Sequence, residues 1–407
     1  MKILHVIPAI APRYGGPSRA IVEMCKGVRD LDVETLIATT DADGRGRLPV
    51  KSGQLTEYEG LDTIFFRRQW SEAFKYSSPL ASWLGAHVTD FDVVHVHAVF
   101  SHSSLAAAKA CRRHDVPYIV RPLGSLDPWS LGQKRFQKRM LWHAGVKQLL
   151  QGASAIHYTA REEQRLAERL PGLAPGAVIP LGIDVALLSV AVQDGTDHDT
   201  PDSDRSPYVL VLGRLHAKKG IPGLIEAFLD VVQCDGFDSW RLVIAGDGDC
   251  GYAKSLDRLI QKRDGKRRIS FPGWLDGQAR VAMLRNAALL AMPSHQENFG
   301  LSAVEAMACG VPVFVSRQVN ISDEVEAAQA GWVTSLENIE FRQRLGEALA
   351  DENERTRRGA AGRQLVSGKY TWPVAARQLL ELYESIMHGT EQCREPIFVV
   401  RSANHTI

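Results

Sequence analysis

Short apolar runs alternate with helix-period segments along nearly the whole chain, in two successive sets. A parallel sheet covered by helices on both faces satisfies such a pattern, because parallel neighbours must be joined by crossovers. In the first set the apolar runs predict strands at Lys2–Ile7, Glu34–Thr39, Thr63–Arg67, Val93–His97, Tyr118–Arg121, Ala155–Tyr158 and Val178–Pro180. Helical patterns over Ser18–Val28, Ser104–Arg113 and Arg161–Arg169 lie between them. A second set predicts strands at Tyr208–Leu212, Arg241–Ala245, Ile269–Phe271, Leu289–Met292 and Val313–Val315. Its helices fall near Lys219–Val232, Tyr252–Arg263, Gly277–Asn286 and Gly300–Cys309. At 407 residues the chain is long enough for two cores. The expected fold class is α/β, two Rossmann-like doubly wound domains facing across a cleft, since ligands bind beyond the carboxyl ends of such strands.

Between the two sets the composition turns polar, acidic and unpatterned, which reads as an exposed linker over 189–206. The expected division is an N-terminal domain over 1–188, a second domain over 207–370, a final amphipathic helix within 371–390 and a tail over 391–407.

The net charge of +1 gives no global argument for nucleic acid, which is not an expected partner. Residues 1–184 nevertheless hold 23 Lys and Arg against 18 Asp and Glu, a local balance of +5. Part of that excess lies in Gln133–Leu150, where Lys134, Arg135, Lys138, Arg139 and Lys147 interleave with Phe136, Met140, Leu141 and Trp142. A basic amphipathic helix of this kind suits an anionic bilayer, and a solvated domain helix is the alternative. The six cysteines show no metal-ligand spacing and read as reduced thiols in a cytosolic protein. The opening Met-Lys-Ile-Leu-His-Val-Ile-Pro reads as a first strand rather than a signal peptide, and no apolar run is long enough for a transmembrane helix. The expected location is cytoplasmic, with peripheral attachment to the inner membrane face if the basic helix binds lipid.

The stretch Pro293-Ser-His-Gln-Glu-Asn-Phe-Gly-Leu-Ser-Ala-Val-Glu-Ala-Met-Ala-Cys-Gly-Val-Pro-Val313 carries the sharpest chemistry. It places Glu297 before a short helix and Glu305 inside it, with a close turn at Gly300. The amides of Leu301, Ser302 and Ala303 are expected to point outward unpaired, a setting that favours a phosphate. Two flanking carboxylates accept hydrogen bonds from sugar hydroxyls. A sugar joined to a phosphate, as in a nucleotide sugar, fits both features. In Tyr208-Val-Leu-Val-Leu-Gly-Arg-Leu-His-Ala-Lys-Lys-Gly220, Arg214 follows a strand and Lys219 opens a helix. Two fixed cations there suit a diphosphate, the Arg through its planar fork and the Lys as a point charge.

The Glu-x7-Glu pair within Pro-Ser-x-x-Glu-x-Phe-Gly-Leu-x-x-x-Glu-Ala-Met-Ala-x-Gly-x-Pro, with Gly-Arg-Leu-x-x-x-Lys-Gly upstream, resembles family 4 of the retaining glycosyltransferases, of the GT-B fold. Within it the chain is most similar to members of polysaccharide-assembly type. The resemblance covers about residues 1–390 and is more specific in the second half. It implies that Glu305 holds ribose hydroxyls, Glu297 the donor sugar, and Arg214 and Lys219 the diphosphate. Donor contacts at Asn298, Phe299, Gly300 and Leu301 follow from the same motif. It also implies that the final helix, Trp372–Met387, crosses back onto the first domain.

Weaker signals lie in the first half. Gly15 and Gly16 allow a tight loop after the first strand, where the family has a Gly-Gly near the donor phosphate; an ordinary turn is the alternative. In Asp92-Val-Val-His-Val-His97, His95 and His97 share one strand face. The family carries a His at the position of His97, directed at the donor sugar, so His97 is assigned to the site and His95 to the structure. A metal would need a third ligand that the sequence does not show. Arg121 and Asp127, in Arg-Pro-Leu-Gly-Ser-Leu-Asp-Pro-Trp129, are acceptor-side candidates, although Asp127 suits a turn before Pro128. Gly248 is a donor-side candidate by resemblance, and an ordinary turn glycine otherwise. Asp41-Ala-Asp43 and Asp247-Gly-Asp249 read as turns, so no required metal and no cofactor are expected.

The expected activity is transfer of a sugar, with retention, from a nucleoside diphosphate sugar to a hydroxyl of a glycan or lipid-linked acceptor in polysaccharide or lipopolysaccharide assembly. A nucleotide-sugar epimerase of the same fold and a non-catalytic nucleotide-sugar-binding assembly subunit are the alternatives.

Overall fold

A computed structural model describes residues 1–184, 186, 206–275 and 277–389. The expected linker over 189–206 and the tail over 391–407 fall almost entirely outside the described residues. The chain divides into one compact unit of residues 1–182 together with the segment from Trp372 onward, and a second of Ile183–Thr371.

The first unit contains strands β1 (Lys2–Ala9), β2 (Glu34–Thr40), β3 (Ala42–Asp43), β4 (Gly46–Arg47), β5 (Leu55–Tyr58), β6 (Leu61–Phe66), β7 (Val93–His97), β8 (Tyr118–Arg121), β9 (Ala155–Tyr158) and β10 (Gly176–Val178). Eight of them form one sheet in the order β10-β9-β8-β7-β1-β2-β6-β5. Its pairs are parallel except for β5 against β6. β3 and β4 make a separate hairpin. All five residues of β7 and all four of β8 are buried, as expected for parallel strands covered on both faces. The partly exposed β5 is the antiparallel edge strand.

One face of this sheet packs Leu4, Val6, Val94 and Val96 against Leu80, Leu84, Ala107, Cys111 and Leu149. The helices beneath it start on serine caps, with Ser77 accepting from the Leu80 amide and Ser101 from the Ser104 amide. On the other face lie the helices Gly16–Arg29 and Trp372–Met387, which pack on each other. A Cβ at Gly27 would come within 3.3 Å of the Ala376 methyl, so small residues set their approach.

Unlike the single helix expected over Gln133–Leu150, the chain forms Arg135–Leu141 and Lys147–Gln151 on either side of a wide turn, Trp142–Val146. Gly145 leaves helical backbone there (φ 158°).

In the second unit, β11 (Tyr208–Leu212), β12 (Arg241–Ala245), β13 (Ile269–Gly273), β14 (Leu289–Met292), β15 (Val313–Ser316) and β16 (Gly331–Thr334) form an all-parallel sheet. Their order is β13-β12-β11-β14-β15-β16. Val209, Val211, Leu242 and Ile244 pack against Leu224, Phe228 and Leu345 in its core. Connections leave β11 and β14 toward opposite edges, so a crevice opens beyond their carboxyl ends, the place where doubly wound sheets bind ligands. The first sheet reverses in the same way between β1 and β7.

Candidate active site

At the reversal point of the second sheet, β11 runs into Gly213–Gly220 and β14 into Pro293–Gly300. Two backbone features clamp these loops together, and a third holds the second loop from behind. The His295 amide donates to the Lys218 carbonyl at 2.7 Å. Gly220, with φ 65°, brings its Cα against the Pro293 carbonyl so closely that a Cβ would overlap it. The Glu297 segment is pinned from its far side, its amide donating to Gln318 at 3.1 Å and its carbonyl accepting from Asn320 at 3.0 Å.

This scaffold places the Lys219 ammonium directly on the Glu297 carboxylate. Burial alone would raise the Glu297 carboxyl, but the charges of Lys219 and Lys218 and the Lys219 hydrogen bond outweigh it. The group is held below the ordinary carboxylate range. Arg214 is exposed at the start of the same loop as Lys219, next in sequence to Gly213, and makes no ion pair among the described residues. Gly300 (φ 77°) caps the helix Leu301–Ala308. The Ala303 amide, expected to be unpaired, donates instead to the Gly300 carbonyl at 2.8 Å, because the first turn tightens. The amides of Leu301 and Ser302 have no protein acceptor among the described residues. Phe299 is buried edge-on against Tyr370, so its ring belongs to the core and only its backbone faces the turn.

Glu305 is 6% exposed on that helix. Its partner, which no motif marks, is Arg280, gripping it with a two-pronged guanidinium contact from the helix Gly277–Arg285. Asn298 lies between Glu297 and Phe299 in the pinned segment. The glycines at the ends of β11 and β12 serve close packing. A Cβ at Gly246 would overlap the Gly213 carbonyl, and one at Gly248 the Leu215 carbonyl. Gly248 is therefore required by backbone approach, independently of any ligand. Asp249 caps the next helix through the amides of Gly251 and Tyr252.

At the reversal point of the first sheet, Gly15 (φ 73°) caps the helix that begins at Gly16, and no atom would lie within 4 Å of a Cβ at Gly15. The same sheet face carries an array of buried polar groups: His5, His95, His97, Arg121 and His157. One hydrogen-bonded chain in it has a fixed direction. His157 Nε2 lies 2.8 Å from the Ile179 carbonyl, which can only accept, so that nitrogen carries the proton. In the neutral ring Nδ1 then accepts from His95 Nε2 at 3.2 Å, and His95 Nδ1 accepts from the Tyr383 hydroxyl at 2.8 Å. Burial, then neighbouring positive charge, keeps these rings neutral, with His157 and His5 lowered to about 3 and His95 and His97 well below the usual value.

His97 Nε2 meets His5 Nδ1 at 3.1 Å, the rings inclined by 11°. Its Nδ1 has no protein partner among the described residues and no exposed surface, so a ligand reaches it only if covering atoms shift. Donor nitrogens of His5, His95 and His97 lie within 4.8 Å of one another. Both nitrogens of His95 are already engaged and its ring stacks on His97 at 4.4 Å, an arrangement that suits hydrogen bonding better than convergence on an ion. Arg121 is fully buried, with Nη1 3.7 Å from Met24 Sδ and neither Nε nor Nη2 partnered among the described residues. Asp127 caps the turn Pro128–Gly132, accepting from Trp129 at 2.8 Å and Ser130 at 3.4 Å. Of the two acceptor-side candidates, one is thus wholly covered and the other occupied by its own backbone.

Comparison with known proteins gives these two units a common setting. Residues 15–182 match the family described as "Glycosyl transferase 4-like domain", and residues 195–365 match "Glycosyl transferases group 1". The chain is 30% identical over 303 residues to the phosphatidyl-myo-inositol mannosyltransferase of Mycobacterium leprae, covering 73% of this chain and 74% of that one. It is 24% identical over 396 residues to the GDP-mannose:cellobiosyl-diphosphopolyprenol alpha-mannosyltransferase of Komagataeibacter xylinus, 95% of this chain and 94% of the other. The fold is similar to that of Anabaena Alr3699/HepE in complex with UDP and glucose, with a TM-score of 0.72, 21% identity, and coverage of 95% of this chain and 100% of that chain. This chain belongs to glycosyltransferase family 4 and is a glycosyltransferase of the GT-B fold, with two Rossmann-like domains.

Proposed function

We propose that the enzyme transfers a sugar from a nucleoside diphosphate sugar, with retention, to a hydroxyl of a lipid-linked saccharide or glycan during assembly of a cell-surface polysaccharide or lipopolysaccharide. The observation that carries this reading is the Lys219–Glu297 pair, formed between the loop that Arg214 opens and the segment that runs through the Gly300 turn into the helix bearing Glu305. Arg214 and Lys219 stabilise the diphosphate as the bond from the sugar C1 to its oxygen breaks and negative charge grows. The acceptor oxygen bonds to C1 from the same face, and its proton passes to the departing diphosphate oxygen. Glu297 orients sugar hydroxyls, and Glu305 takes the ribose. The relatives that use GDP-mannose and the neighbour that holds UDP support a nucleotide sugar as donor class. No metal and no cofactor enter this scheme.

The polyprenol-linked acceptor in one relative's name favours a lipid-linked acceptor here. Among the described residues no helix is long and apolar enough to cross a membrane. Phe136 is 76% and Met140 59% exposed one helical turn apart. They line, with Arg139, His143 and Ala144, a shallow hollow of about 540 Å³. Lys134, Arg135 and Lys147 add positive charge along this segment, whereas Lys138 is folded back onto the Ser130 carbonyl and over the Phe100 ring. We assign this patch to an anionic membrane surface.

A thermal-shift panel of UDP, GDP, ADP and CDP, with and without magnesium, tests the donor reading. A selective rise with one diphosphate, independent of metal and absent in Arg214→Ala, is expected. No rise with any of them would overturn it in favour of a degenerate assembly subunit. Conversion of a nucleotide sugar without acceptor would point to the epimerase.

A further inference from the structure

Glu305 is a buried carboxylate on the helix Leu301–Ala308, and a carboxylate in that setting needs both a countercharge and a fixed orientation. Arg280 supplies both. Its Nη1 donates to Oε1 at 2.8 Å and its Nη2 to Oε2, so the guanidinium plane meets the carboxylate plane edge to edge. The two side chains come from separate helices 25 residues apart, and Arg280 is only 22% exposed at this contact. A fork of this kind removes the rotational freedom that a lone carboxylate has about its last bond, which a single lysine contact would not do. It occupies one edge of the carboxylate with two parallel contacts, one to each oxygen.

We infer that Arg280 is a positioning residue for the donor nucleotide: it aims the Glu305 carboxylate at the two ribose hydroxyls and so sets the preference for ribonucleotides over nucleotides lacking them. The inference rests on the reading that Glu305 takes the ribose. Arg280 touches neither the sugar being transferred nor the phosphates in this scheme; it acts through Glu305. A specific discrimination between ribose and dideoxyribose should therefore depend on Arg280, whereas a merely structural ion pair would change stability alone.

The test measures dissociation constants for UDP and GDP and for their 2′,3′-dideoxy forms by calorimetry. Wild type is expected to bind the better ribonucleotide about 10- to 100-fold more tightly than its dideoxy form, the scale of hydrogen bonds to a charged group. In Arg280→Ala the ratio should fall to within about threefold of one, mainly through weaker ribonucleotide binding. Arg280→Lys, which keeps the charge but loses the fork, should recover only part of the ratio. Adding Arg280→Ala to Glu305→Gln should change the ratio little further, because both act through one contact. If Arg280→Ala does not fold, Arg280→Lys and Arg280→Gln carry the comparison. A wild-type ratio near one would overturn the ribose reading of Glu305 itself. A normal wild-type ratio that survives in folded Arg280→Ala would overturn only the role of Arg280. Tighter ribonucleotide binding in Arg280→Ala would overturn it too, by showing that the arginine competes with the ribose.

Discussion

The ammonium of Lys219 and the carboxylate of Glu297 pair directly although 78 residues separate them in the chain. Lys219 holds the Glu297 carboxyl below its ordinary range, and the backbone clamp between Lys218 and His295 keeps both loops in register. Loss of either Arg214 or Glu297 should therefore remove a positioned charge without unfolding the unit. Arg214→Ala and Glu297→Ala are each expected to lower turnover by about 10² to 10³, measured as sugar transfer at saturating donor. Near-normal rates in both would remove the proposed mechanism.

The same pair makes a prediction about acid. Because the folded Glu297 carboxyl sits below its ordinary value of 4.5, its contribution to stability is present above that pH and lost as pH falls through the lowered value. In Lys219→Met burial is the largest remaining influence, so the carboxyl should titrate above 4.5 and its contribution should change sign. Carbon-detected NMR titration of the Glu297 side chain in both proteins reads this directly.

The histidine array runs in the same direction with pH, in a higher window and through rings that are neutral rather than charged. Neutral buried rings must gain protons when the chain unfolds below the ordinary histidine value of 6.5. Their stabilising contribution is thus complete above pH 6.5 and declines as pH falls toward the lowered folded values near 3. Each such ring should cost about 1.4 kcal/mol per pH unit in that window. Urea unfolding of the first unit between pH 7 and pH 5 should show a steep loss, made shallower in His5→Phe.

Gly220 offers a backbone test. Alanine there would need both a positive φ and a displaced Pro293 carbonyl, so Gly220→Ala should destabilise the second unit by at least about 1–3 kcal/mol and weaken nucleotide binding. Gly223, with open space around its Cβ position, is the control, and its substitution should be close to neutral.

Membrane attachment should depend on the exposed pair in the broken basic segment. Flotation with anionic vesicles at low salt is expected for wild type and reduced several-fold in Phe136→Ser/Met140→Ser. Wild type that stays at the bottom of the gradient would end the membrane assignment.

Much of the fold was readable because parallel strands leave unbroken apolar runs: Tyr208–Leu212, Arg241–Ala245 and Leu289–Met292 appear where the pattern puts them. The missed strands lack that mark. Leu55–Tyr58 is a half-wet antiparallel edge, and Gly331–Thr334 is short and opens on glycine. In the basic segment the apolar and basic pattern carries no mark of the non-helical backbone at Gly145, so two helices occur where the pattern suits one. In the site, Glu297, Glu305 and Lys219 were legible because their spacing lies within single motifs. Arg280 was not, since one arginine on a polar helix face resembles any other and only tertiary packing reveals its target. His5 left a trace, a polar residue amid the apolar positions of a first strand, but its pairing with His97 depends on the register between β1 and β7.

The floor beneath the Arg214–Lys219 loop is built from bare main chain, Gly246 on the Gly213 carbonyl and Gly248 on the Leu215 carbonyl. Every missense codon at Gly246 or Gly248 adds a side chain where none fits. A saturation library scored for growth or transfer should therefore show two nearly empty columns there, sharply bounded, beside graded tolerance at the neighbouring exposed Asp247. Diversification of donor choice in this lineage would then have to proceed through the residues standing on that floor, leaving the floor itself as a fixed inheritance.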